Sequence, residues 1–139
     1  MSAVHYNNSY TEARSHLKDL LDAAGEGRVA TVRCDTDDAA VVDAERLRYA
    51  LAVLRPSSAE VVVDNDGWSL WLPALPVGAD GATLDEAIDE TVVALREYAD
   101  NWQDRLRNVS NHREHWGLMQ LISLGTDAQL RDWLVGARE

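Results

Sequence analysis

Four groupings of side chains in this 139-residue sequence have types and spacings that chemistry could use. His112 and His115 stand three residues apart, which on a helix puts two imidazoles on one face and makes half of a metal site. No third ligand accompanies them. Glu114 points elsewhere on the same turn, so polar residues opening a helix are the expected role. Asp35, Asp37 and Asp38, and again the run Asp64-Asn65-Asp66-Gly67, have a faint look of calcium loops. Neither continues to a bidentate Glu at the twelfth position, and both read as turns. Asp85, Glu86, Asp89 and Glu90 form a carboxylate ridge at i, i+4 spacing. Acidic residues early in a helix favour its dipole, and like charges so spaced mark a solvated face.

No nucleophile is recognisably paired with a base, no glycine-rich phosphate loop follows a strand, and aromatic and basic residues do not interleave as in single-strand binders. The expectation is a non-enzyme with no catalytic residues, no metal and no cofactor. Cys34 is the single cysteine, which excludes an internal disulfide and fits a reducing cytoplasm. It reads as a small strand residue behaving as a buried hydrophobe. No apolar run approaches the roughly 20 residues a membrane span needs, and no signal-peptide pattern is read at the N-terminus. A cytoplasmic protein away from the membrane is therefore expected.

Charge is the more informative quantity. The net charge of −11 divides unevenly: residues 1 to 58 carry 7 Lys or Arg against 9 Asp or Glu, whereas residues 59 to 139 carry 6 against 15. The acidic C-terminal half, at −9, repels nucleic acid and attracts a basic partner.

The elements that position these groups begin with a helix. Ser9 is a good N-cap with Glu12 three residues on, and Ala13, Leu17, Leu20, Leu21 and Ala24 fall on one face before Gly25 and Gly27 stop it. Val29 to Cys34 alternates as a strand, Asp35 to Asp38 turns, Ala39 to Asp43 returns, and helix resumes from Ala44 to Leu54. This helix, hairpin, helix segment is too small to bury its own faces, and pairing with a second copy is the natural solution.

Arg55 to Ser58 form the one linker-like break, and Pro56 ends the preceding helix. Ala59 to Asp64 and Trp68 to Leu72 read as a hairpin about Asn65-Asp66-Gly67, with Trp68, Leu70 and Leu72 on one face and Ser69 and Trp71 on the other. Pro73 and Pro76 are expected to end pairing, leaving a loop through Gly78 and Gly81. Thr83, boxed by Glu86, caps a long helix striped by Leu84, Ala87, Ile88, Thr91, Leu95, Tyr98 and Trp102. Asn108 to Glu139 reads as two helical pieces, the second capped by Thr126 and Gln129 and ended by Gly136. Trp102 and Trp116 are read as core before contact, and Trp133 as either.

Two stretches carry a resemblance to known families. Tyr10-Thr11-Glu12-Ala13-Arg14-Ser15-His16-Leu17, followed by the apolar helix, Gly-Glu-Gly, two strands and VVDAERLRYAL, resembles the Phd/YefM family of bacterial antitoxins over roughly residues 1 to 55. The resemblance implies a homodimer that binds operator DNA of its own operon, and a C-terminal extension that wraps a toxin, often RelE-like and a ribonuclease. Where many members carry basic residues in the strand-to-strand turn, this chain has Asp35, Asp37 and Asp38. The run GWSLWLPALPVGADGATLDEAIDETVVALREYADNW looks like the HicB antitoxin pattern over residues 60 to 102, implying a partial ribonuclease-H-like unit that packs and binds partners without activity of its own.

The sequence reading is thus an α+β protein: a Phd/YefM-like dimerisation and DNA-binding module over 1–55, then a HicB-like hairpin, long helix and helical C-terminus over 59–139 that binds a toxin, as in RelB-like antitoxins of RelE-like toxins. Thr11, Arg14, Ser15, Lys18 and Arg33 are the DNA-contact candidates, cations for phosphate and hydroxyls for added hydrogen bonds. Trp116, Leu130, Trp133 and Leu134 are the toxin-contact candidates. The rival reading is a protein-interaction module that inhibits a basic partner without binding DNA.

Overall fold

The computed structural model describes residues 6 to 136 of an α+β chain. It divides into two compact units, Met1–Tyr49 and Ala50–Glu139. In the first, β1 (Tyr6–Ser9) leads into α1 (Tyr10–Ser15) and α2 (Leu17–Gly25), followed by β2 (Ala30–Cys34), β3 (Asp37–Val41) and the opening of α3 (Ala44–Leu54). Ser9 caps as expected, its hydroxyl oxygen accepting from the Glu12 N–H at 3.3 Å. The single helix expected from there to Ala24 is interrupted at His16, where φ is −122° and ψ is 29°. Ser15 supplies the cause: its hydroxyl bonds back to the Thr11 carbonyl at 3.0 Å, a side-chain competition that bends helices.

β1 lies parallel to β2, with Ser9 beside Arg33, and β2 is antiparallel to β3. The β2–β3 turn is tighter than expected. Asp35 takes a left-handed φ of 54°, which Asp tolerates, so Asp37 and Asp38 lie within β3, paired with Cys34 and Arg33. Cys34 is exposed, contrary to the buried role expected of it, because it ends the strand at that turn. The core of this unit is Ala13, Leu20, Ala23 and Ala30, with Val32 and Val41 against it. Leu17 and Leu21 were expected in the same stripe but are 55% and 54% exposed. The buried face of α2 follows Leu20, Ala23 and Ala24 instead.

In the second unit, β4 (Glu60–Asp64), β5 (Gly67–Trp71) and β6 (Gly78–Gly81) form an antiparallel sheet in sequence order. β6 corrects the expected loop. The two prolines sit inside the connection, where no donor is required, and the Leu72 N–H donates across it to the Val77 carbonyl at 3.0 Å. Gly81 then approaches the next helix so closely that a Cβ would lie 2.5 Å from the Ala87 nitrogen.

That helix, α4 (Leu84–Asn101), packs on β5 and β6. The Thr83 hydroxyl accepts from the Glu86 N–H at 3.1 Å, while the Glu86 carboxylate reaches Ala82, one residue before the cap. Ala87, Ile88, Thr91, Val92, Leu95 and Ala99 are buried along one side, and the chain continues through a π turn at Trp102–Leu106. A 3₁₀ turn at Arg113–His115 opens α5 (Trp116–Leu124), and α6 (Asp127–Val135) follows with both bonds of the Thr126–Gln129 capping box present and Gly136 left-handed at its end. Leu118, Met119, Leu121, Ile122, Leu130, Trp133 and Leu134 join the α4 stripe and Leu70, Leu72, Leu75 and Val77 in one core.

Two arginines fasten these helices. Arg96 on α4 donates to the Ile122 and Gly125 carbonyls and to the Asp127 carboxylate, satisfying the end of α5 and the start of α6 together. Arg131 on α6 pairs with Asp85 and Asp89, so with Glu86 on the Ala82 N–H three of the four carboxylates of the α4 ridge are bonded within the unit. Among the described residues, no helix is long and apolar enough to cross a membrane.

In urea titrations, Leu95→Ala is expected to cost about 2–5 kcal/mol, because a buried branched side chain leaves a cavity. Arg96→Met should cost about 1.5–3 kcal/mol through its charge-assisted bonds. Val93→Ala, on the open side of α4, should stay within about 0.5 kcal/mol.

Candidate functional site

The DNA-contact candidates all belong to the first unit, on α1, α2 and β2, and all are exposed. Pairing of Ser9 with Arg33 brings β2 alongside the capped start of α1, the helix that carries Thr11, Arg14 and Ser15. Their chemistry is less free than their types suggested. The Ser15 hydroxyl donates to the Thr11 and Glu12 carbonyls, Lys18 pairs with Asp22 at 2.7 Å, and Arg33 stands 3.9 Å from Asp38 across the strands. The hydrogen bond and charge of Asp22 raise the Lys18 pKa, so its ammonium stays protonated. Arg14 has no ion-pair partner among the described residues.

The toxin-contact candidates separate. Leu130, Trp133 and Leu134 are buried in the core of the second unit, and the Trp133 indole donates to the Arg55 carbonyl at 2.8 Å. Trp116, expected in the core, is 54% exposed at the start of α5. Trp102 is buried as expected, its indole donating to the His112 carbonyl at 2.8 Å. Of the four candidates, Trp116 alone offers its side chain to a partner.

His112 and His115 have a job the sequence concealed. The Tyr98 hydroxyl lies 2.7 Å from Nδ1 of His112 and 3.0 Å from Nδ1 of His115. With one phenolic proton, Tyr98 can donate to only one of the two ring nitrogens and is left to accept from the other. Burial raises the Tyr98 pKa, and burial, the nearby His112 and Arg55 together lower that of His115, against a smaller opposing effect of Glu114. The arrangement ties the 107–115 turn to α4. Only the i, i+14 and i, i+17 proximity created by folding could reveal it.

Arg48, 1% exposed and doubly bonded to Glu45 at 2.6 and 2.8 Å, was likewise unmarked in the sequence. A cleft of about 360 Å³ opens beside the β4–β5 turn, lined by Asp64, Asp66, Gly67, Trp68, Ser69, Asp80 and Gly81. Among the described residues, no group of three His, Cys, Asp or Glu side chains is arranged to hold a metal ion.

No protein-family model matches the chain, and no curated protein sequence does. A crystal structure from Syntrophomonas wolfei subsp. wolfei, described as an antitoxin part of a proposed toxin/antitoxin system, is similar with a TM-score of 0.77. The likeness covers 91% of this chain and 94% of that one at 16% sequence identity. At that identity it establishes a shared fold.

The Tyr98 cluster has a pH signature. Because the His115 pKa is lowered from 6.5, the unfolded chain binds more protons than the native one between the depressed value and 6.5. Stability therefore rises with pH across that window and is lost as pH falls through it. Urea midpoints at pH 8 and pH 5 should show the loss, and His115→Gln should shrink it; an unchanged difference would count against this account.

Proposed function

We propose that this chain is the antitoxin of a type II toxin–antitoxin system, a regulatory protein and not an enzyme. The observation that carries the reading is the fold shared over nearly the full length of both chains with a protein described as an antitoxin. The Phd/YefM-like and HicB-like sequence patterns support it independently. In this reading the first unit dimerises, binds operator DNA and autoregulates the operon. The acidic second half neutralises a basic, RelE-like ribonuclease by direct binding, in the cytoplasm.

Dimerisation has a physical motive. Among the described residues, four alanines and one leucine are the buried hydrophobics of the first unit, while Leu17 and Leu21, one turn apart on α2, remain exposed. Covering them would bury apolar surface worth about 25 cal/mol per Å² before the cost of association. DNA binding rests on Arg14, Lys18 and Arg33 for phosphate, with Thr11 and Ser15 adding hydrogen bonds. Trp116 is an exposed aromatic available to the toxin.

A second reading is favoured by the carboxylates beside two of those cations. Asp22 at Lys18 and Asp38 at Arg33 leave fewer charges for phosphate, which weakens binding and flattens its salt dependence. On this reading the protein inhibits its basic partner without binding DNA.

Sedimentation should show a dimer at micromolar concentration, and Leu17→Glu with Leu21→Glu should convert it to a folded monomer. In mobility-shift assays on DNA upstream of its own reading frame, Arg14→Ala with Arg33→Ala should abolish the shift. Retained binding by that double variant would overturn the residue assignment. A complex with the adjacent gene product but no operator affinity in the unaltered protein would favour the second reading.

A further inference from the structure

The edge of the second sheet is open in an unusual way. A helix with its side chains is about 10 Å across and strands lie about 4.8 Å apart, so one helix shelters two strands. α4 packs on β5 and β6, which leaves β4 outside its cover. Val61 and Val63 are in register with Leu70 and Trp68, on the α4 side of the sheet, yet are 43% and 59% exposed. Val62, on the other face beside Ser69, is 47% exposed. Among the described residues no strand pairs with the outer edge of β4, so its outward N–H and C=O groups are available.

Proteins commonly blunt such an edge with proline, a bulge or lysine. β4 has no proline, bulge or lysine, and its only charges are the acids Glu60 and Asp64 at its two ends. Its residues, Glu-Val-Val-Val-Asp, pair with β5 in unbroken register.

We propose that β4 is a docking edge to which an extended segment of the partner protein, three apolar residues flanked by Lys or Arg, adds as a fourth strand. The partner's existence rests on the antitoxin reading above. The charge pattern selects the occupant. Glu60 and Asp64 bracket the valines, and neither has an ion-pair partner among the described residues. A second copy pairing antiparallel over the full strand would set Glu60 against Asp64 at both ends, and an in-register parallel copy would set each acid against itself. Like charges directly opposite destabilise a strand pair. Basic flanks make both ends attractive, and the net −9 of residues 59 to 139 steers a cationic partner toward this half of the chain. Alternate apolar side chains of the incoming strand would lie beside Val61 and Val63, where α4 does not reach.

Amide hydrogen exchange on the full chain, free and co-purified with the product of the adjacent reading frame, tests the proposal. Protection of the β4 amides in the complex is expected. A complex in which β4 exchanges as in the free protein overturns the docking edge and leaves the antitoxin reading standing. Absence of any complex counts against the antitoxin reading, and peptides then decide the edge. Acetyl-Lys-Val-Ile-Val-Lys-amide should shift β4 resonances and bind about tenfold more tightly than its Glu-flanked counterpart. Glu60→Lys with Asp64→Lys, both at exposed positions, should reverse that preference. Equal binding of the two peptides, no binding of either at millimolar concentration, or concentration-dependent β4 protection in the protein alone each overturn it.

Discussion

The stripe of α4 running from Ala87 through Ile88, Thr91 and Leu95 to Ala99 is buried against β5, β6, α5 and α6, and the second unit is arranged around it. One polar atom lies in that stripe, and the Thr91 hydroxyl is satisfied by donating to the Ala87 carbonyl at 2.7 Å. The same helix holds the C-terminal pair through Arg96 and Arg131, so apolar burial and charge-assisted bonds act on the same contacts. What one helix cannot do is cover three strands, and the bare β4 edge follows from that limit of size.

The first unit is built on the opposite footing. Its buried face is mostly alanine, and each alanine removes little apolar area from water. Small domains bury a small fraction of their surface in any case, and those with thin cores lean on a partner. The two units therefore differ in kind as well as in charge: one has a filled interior and an open strand edge, the other a thin interior and exposed leucines on a helix.

Local chemistry was legible in the sequence and tertiary chemistry was not. The caps at Ser9, Thr83 and Thr126 and the span of α3 could be read because each depends on residues three or four apart. β6 was missed because Gly-Ala-Asp-Gly has no hydrophobic period and takes its strand character from β5. Trp116 and Trp133 are alike in type, yet one is exposed and the other buried, since folded neighbours decide burial. The cations of the candidate DNA surface were visible as charges. That Asp38 would stand across from Arg33 depended on a turn one pair of residues shorter than the acidic run implied. The Tyr98 cluster joins a helix to a turn 14 and 17 residues away, beyond any local pattern.

All five tryptophans, Trp68, Trp71, Trp102, Trp116 and Trp133, lie in the second unit. Intrinsic indole fluorescence is therefore blind to Met1–Tyr49, where the aromatic residues are tyrosines. Comparing its melting curve with one followed by far-ultraviolet circular dichroism separates the two units without a label, and a gap between the curves measures how far they unfold independently.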